Sequence, residues 1–213
     1  MYLLRRGSRK RGETKGKLIL NTIVLQETKN GPMPTDVFQK LSSDRILFIT
    51  GNITDNVASD ICATLLLKDY EDPGKKISIF INSDGGDIRN IFAIYDMMQM
   101  VTSPIETICT GIIASEAVML LAGGEPGMRL ATKNAIILVN QLENNYASMV
   151  DMVNVNKIMK MTEEDNKRML GILAKATGKT VKEVTNFFDR RVFFTAERAA
   201  KFGLLDKVIG FTK

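Results

Sequence analysis

Two short stretches carry the residue types that chemistry needs. In GIIASEAVM, residues 111–119, small and apolar residues lead into Ser115 where a strand gives way to a helix start. A serine at that point is either a presented nucleophile or a helix N-cap, and on local pattern alone the cap is the stronger reading. In INSDGGD, residues 81–87, a strand runs into Gly85-Gly86 and a helix begins straight after. Paired glycines allow backbone N–H groups close to a ligand, and a helix start adds partial positive charge, so an anion or oxyanion site and a purely structural turn both fit.

What decides between them is a base for Ser115, since a hydroxyl attacks only when a positioned group takes its proton. The usual group is an imidazole, and the 213 residues include no histidine. Glu116 is adjacent, but neighbouring side chains on a helix diverge by about 100° and do not face each other. A lysine such as Lys133, or a carboxylate, is the remaining kind of base.

The elements that must position these residues follow an α/β pattern. Nearly continuous apolar runs at Leu18 to Leu25, Arg45 to Thr50, Ile77 to Asn82, Ile105 to Thr110 and Ala135 to Val139 predict strands covered on both faces. Between them, Val57, Ile61 and Leu65 make one helical stripe in Thr54 to Asp69. Ile88, Ile91, Phe92, Tyr95 and Met98 make another in Asp87 to Val101. A methionine-bearing stretch from about Tyr146 to Thr177 predicts one unusually long helix or two in line. Thr180 to Glu183, TVKE, reads as a capping box opening a further helix. A last short helix ends at Gly203 before an apolar, strand-like end. Thr28 to Pro34, TKNGPMP, reads as a linker.

Composition bounds the rest. The chain has a net charge of +5, yet the first 17 residues hold seven basic residues against one acid, so the other 196 sum to −1. The basicity belongs to an arm, read as solvated and disordered, on a near-neutral body; nucleic acid is therefore not the expected partner. The arm lacks the apolar core of a secretory signal, and its Arg and Ser content leaves organelle targeting open. No apolar run approaches the ~20 residues of a membrane span, so a soluble, cytoplasmic protein is expected. Cys62 and Cys109 sit among apolar residues without metal-site spacing, and no metal or cofactor is called for.

Taken together and in order, TDVFQKLSSDRILFITGNI, INSDGG, IFAIYDMMQM, ICTGIIASEAVMLLAGG, NQL and DRRVFFTAERAAKFGLLDKVI resemble the ClpP peptidase family, from about Thr35 to Ile209. That resemblance implies an α/β fold, the ClpP/crotonase-like repeated β-β-α core with a long protruding handle helix at about 146–177. It implies a single domain over 18–213 preceded by the 1–17 arm. The family's Ser-His-Asp triad maps to Ser115, Asn140 and Arg191, so two of three members are replaced. Its oxyanion donors map to the backbone N–H groups of Gly86 and Glu116, and its ring-to-ring contacts to Asp189 and Arg190. Asp84 stands where the family has proline, and Asp84, Asp87 and Glu116 place negative charge where an oxyanion would form. Loss of a triad His costs on the order of 10⁶ in turnover.

The resemblance therefore implies a noncatalytic, ClpR-type subunit of an ATP-dependent Clp protease. Such a subunit builds heptameric rings, stacked as a tetradecamer, with itself or a ClpP-like paralogue. An AAA+ unfoldase and unfolded polypeptide in the chamber are its further partners, in the cytoplasm or in a plastid or other organelle. An active serine peptidase with an unorthodox base, and a crotonase-like acyl-thioester enzyme using Glu116 or Asp84 as acid/base, are the alternatives. The family's start forms axial loops that gate the pore, whereas this chain starts with the basic arm. Deleting residues 1–17 and measuring assembly tests an extra role for the arm: unchanged assembly rejects one.

Overall fold

The computed structural model describes residues 23–28, 31–139, 155–188 and 192–210. They fall into two units, one up to Lys40 and one from Leu41 onward.

In the first, β1 (Ile23–Thr28) pairs antiparallel with β2 (Gly31–Asp36), from Ile23 opposite Asp36 to Thr28 opposite Gly31. This corrects the linker reading of Thr28 to Pro34. Pro32 and Pro34 lack N–H groups, and a two-stranded ribbon tolerates them because each strand has a free edge. The predicted strand starting at Leu18 is β1, with Leu18 to Thr22 outside the described residues. Asp36 Oδ1 accepts from Phe38 N–H at 2.8 Å as helix α1 (Val37–Ser43) begins.

The second unit is built on a seven-stranded sheet. Its strands β3 (Ile46–Ile53), β4 (Ile77–Gly86), β5 (Ile105–Ala114), β6 (Arg129–Thr132) and β9 (Lys207–Ile209) lie side by side in that order, all parallel. β7 (Ile136–Val139) pairs parallel with the far end of β5, and β8 (Val192–Thr195) pairs antiparallel with β7. β5 is thus the trunk: along one edge it exchanges β6, at Thr107 to Cys109, for β7, at Ile112 to Ala114.

The apolar stripes bury in part as expected: Ile61, Leu65, Ile88, Ile91 and Met98 enter the core, Val57, Phe92 and Tyr95 are only partly buried against it, and Ala58 and Ile94 join it instead. Helix α2 (Asp55–Glu71) sets Ala58, Ile61 and Leu65 into the core, and α3 (Ile88–Met100) sets Ile88, Ile91, Ile94 and Met98. Thr54 caps the first by accepting from Val57 N–H, and Asp87 caps the second by accepting from Arg89 N–H at 2.8 Å. In β4, Ile77, Ile79 and Ile81 are fully buried while Ser78 and Phe80 between them are half-buried. Phe80 stacks there on Phe48 with centroids 5.2 Å apart. The expectation of strands covered on both faces thus holds at the middle of β5 and fails for β3 and β4, because nothing described packs as fully on the second face of β3 and β4 as on the first.

The long predicted helix is present as α5 (Val155–Thr177), followed by α6 (Val181–Phe188) and α7 (Ala196–Phe202). Residues 146–154 lie outside the described ones. The capping box forms: Thr180 Oγ1 accepts from Glu183 N–H at 3.2 Å, and Glu183 Oε2 accepts from Thr180 N–H at 2.8 Å. Gly203 ends α7 in the left-handed region at φ 98°. Among the described residues, no helix is long and apolar enough to cross a membrane.

One ion pair between the buried Arg129 and the partly exposed Asp206 ties these late elements together. Arg129, at the start of β6, pairs with Asp206 through its Nε and Nη2 atoms, and donates from Nη1 to the carbonyls of Ala176 and Gly203. Burial pushes the Asp206 carboxyl up, but bonds from Arg129 side chain and backbone and from Gly127 N–H outweigh it and hold it below the usual carboxylate range. Removing one partner strands the other in a partly solvated setting, at a cost of about 1–3 kcal/mol. Arg129→Met is expected to lower the urea-unfolding free energy by that amount. A folded-state pKa depressed below the unfolded value of about 3.9 gives stability that is fully present above that pH and lost as pH falls through the folded value. The deficit of Asp206→Asn should therefore be largest near neutrality and shrink in acid; a deficit independent of pH would contradict this assignment.

Candidate active site

Two irregularities at the C-terminal ends of the parallel strands make the site. Between β3 and β4 the pairing passes from Thr50 opposite Asn82 to Asn52 opposite Gly85, so β4 carries one extra residue. Ser83, 1% exposed, holds this step: its Oγ donates to the Gly51 carbonyl at 2.6 Å and accepts from Gly85 N–H at 3.1 Å. Between β4 and β5 the pairing passes from Ile81 opposite Cys109 to Ser83 opposite Ile113, so β5 carries two extra residues. Asn82 holds this one. Its Oδ1 accepts from Ile112 N–H at 3.1 Å and lies where a side chain on Gly111, at φ 72°, would stand.

The second irregularity sets which residue Ser115 meets. Continued without it, the register would carry Ser115 to the level of Asp87; with it, Ser115 is drawn back two residues, about 7 Å, to the level of Gly85. Contact follows: a Cβ built on Gly85, at φ 111°, would lie 2.9 Å from Glu116 Oε2 and 3.2 Å from Ser115 Cβ. A Cβ on Gly86 would lie 2.4 Å from the Ile53 carbonyl oxygen. Both glycines are therefore demanded by close approach, and Gly85 by its backbone angle as well.

Ser115 itself corrects the cap reading. It opens a single 3₁₀ turn (Ser115–Ala117) that passes into the buried helix α4 (Val118–Ala122), and neither start has a side-chain cap bond. Its φ is 54°, a left-handed conformation that costs a non-glycine residue about 1–2 kcal/mol. A capping serine sits in the extended region, as Thr54 and Thr195 do. Ser115 instead has the strained strand-to-helix elbow by which a nucleophile is presented.

Of the three acids near this point, Asp87 is committed to its cap bond and Asp84 is exposed, whereas Glu116 is 6% exposed with its carboxylate against Gly85. Lys133 is exposed in the turn before β7. Ile136 pairs with Ile112, so this turn is at the opposite end of β7 from Ser115, with at least three strand residues, about 10 Å, between. Lys133 is not within reach of the hydroxyl. Asn140, Asp189, Arg190 and Arg191 lie outside the described residues; their chain neighbours Val139 and Val192 are paired, and Leu138 pairs with Ala114. The supports missed by sequence reasoning are Ser83 and Asn82, and their signal was glycine inside a strand pattern at Gly51 and Gly111.

With this geometry in place, one comparison decides the lineage: the sequence model of the Clp protease family matches residues 29–211. The chain belongs to the Clp protease family. Membership of the Clp protease family is consistent with the parallel sheet and helices of the second unit.

Close packing and strain predict opposite responses to small substitutions. Gly85→Ala and Gly86→Ala should each cost about 1–3 kcal/mol or more by overpacking. Ser115→Gly should be neutral or raise stability by up to about 1 kcal/mol, because glycine accepts the left-handed angle. Urea unfolding checks both, and a clear loss of stability in Ser115→Gly would refute the strain.

Proposed function

We propose that this Clp protease family member is a noncatalytic subunit of ClpR type, retained for ring assembly in ATP-dependent protein degradation. The observation that carries the reading is a formed nucleophile elbow in a chain without histidine; the resemblance sets Asn140 and Arg191 at the positions of the family's His and Asp. A serine hydroxyl with no positioned base is a poor nucleophile, and the adjacent carboxylate opposes the negative charge that acyl transfer develops. Lys133, the lysine considered as a substitute base, is at the wrong end of β7.

Exposed apolar surface supports assembly. On α2, Ala63, Leu66, Leu67 and Tyr70 recur at helical spacing on the side away from the core, with Tyr70 85% exposed. The first half of α5 is largely exposed and bears Met159 and Met161, and the half-buried Phe48–Phe80 face extends the pattern. Faces of this kind mark interaction surfaces. The family's members form rings that work with AAA+ unfoldases, and residues 146–177 take the place of its stacking helix. A ClpP-like paralogue with an intact triad, in the cytoplasm or an organelle, is the partner this reading calls for.

The elbow at Ser115 keeps one other reading in play, an active peptidase with an unorthodox base. The family match favours the peptidase lineage over a crotonase-like acyl-thioester enzyme. The noncatalytic reading expects no fluorophosphonate labelling at Ser115 and entry into rings when the chain is mixed with a His-bearing paralogue, measured by native mass spectrometry. Labelling that disappears in Ser115→Ala would establish the active reading. A chain that stays monomeric alone and in every mixture would sink the assembly role.

A further inference from the structure

We propose that the Glu116 carboxylate occupies the anion position beside Ser115, a second lock on hydrolysis independent of the missing imidazole. The proposal rests on the noncatalytic reading above and adds a residue and a physical cause to it.

Acyl transfer turns a carbonyl oxygen into an oxyanion, which needs preorganised donors and no competing anion. The resemblance assigns those donors to the N–H groups of Gly86 and Glu116. Those two residues directly follow Gly85 and Ser115, and it is between Gly85 and Ser115 that the carboxylate packs: Glu116 Oε2 lies 2.9 Å, and Ser115 Cβ 3.2 Å, from the point a Gly85 Cβ would occupy. Glu116 is 6% exposed, so its carboxylate is packed into this space and not waving over it. The register step in β5, held by Asn82, brings Gly85 and Ser115 level, so the carboxylate is seated by the same device that assembles the elbow. A substrate carbonyl would have to displace this carboxylate and then develop its charge beside it. Loss of one oxyanion donor elsewhere costs about 10²–10³ in rate, which sets the scale for an occupied position.

The test restores the rest of the machinery and reads Ser115 directly. Three full-length chains carry Asn140→His and Arg191→Asp: one with Glu116 intact, one with Glu116→Ala, and one with Glu116→Gln, which keeps the shape and removes the charge. Each is treated with a fluorophosphonate, in which Ser115 Oγ bonds to phosphorus, fluoride leaves, and the introduced imidazole takes the hydroxyl proton. The expected result is labelling at least about 100-fold faster in the Glu116→Ala chain than in the chain that keeps Glu116. Acceleration by Glu116→Gln as well assigns the effect to charge and supports the lock; it also serves if the alanine variant does not fold. Equal labelling with and without Glu116, or none in any folded variant, would overturn the proposal. Labelling of the unaltered chain would overturn the noncatalytic reading alone, since the comparison among restored chains still decides the lock.

Discussion

The hydrogen bond from Ile112 N–H to the Asn82 side chain holds the step in β5 on which the site's geometry rests. It stabilises the two extra residues in β5, and those residues do two things at once. They slide the end of β5 back until Ser115 is level with Gly85, and they mark where the edge of β5 passes from β6 to β7. The fork in the sheet and the elbow at the site therefore have one cause. Ser83 performs the matching service on the β3 side, satisfying the carbonyl of Gly51 and the N–H of Gly85 where the ladder between β3 and β4 steps.

This also explains which parts of the fold were legible in the sequence. Apolar periodicity located β3, β4, β5, β7, α2 and α3, because burial of one face is what those elements are for. Each of the first three strands was expected to stop at Thr50, Asn82 or Thr110, and each in fact runs on by at least three residues. The apolar pattern ends at those points because the glycines and polar residues beyond them build the steps; they stay in the sheet through backbone pairing, which periodicity does not report. The four-residue strands β6 and β8 lack the unbroken apolar run that marks the equally short β7, and they depend on partners distant in sequence. Proline spacing misled for β2, where an edge accepts what a central strand excludes.

The site was legible in identity and illegible in conformation. Ser115, Gly85 and Gly86 stand out by residue type and order, but a cap and an elbow share the same local sequence, and only the backbone angle of Ser115 separates them. A strained angle persists where the surroundings over-determine it. Here the surroundings are five consecutive buried residues of α4, Val118 to Ala122, which pin the turn from behind. The elbow is consequently a property of the core as much as of the site, and α4 packing holds it in a chain without histidine.

Arg129 has a mechanical consequence. α5 has 23 residues, some 34 Å of rod, and its buried apolar residues, Met169, Leu170, Leu173 and Ala174, are confined to the second half. Ala176, at the end of that half, is bolted by its carbonyl to Arg129 on β6, and through Asp206 to the loop before β9. A rod clamped at one end and loaded at the other is a lever, with the clamp at its fulcrum. The clamp thus joins the end of α5 to β6, the strand that borders β5 on the side opposite β4.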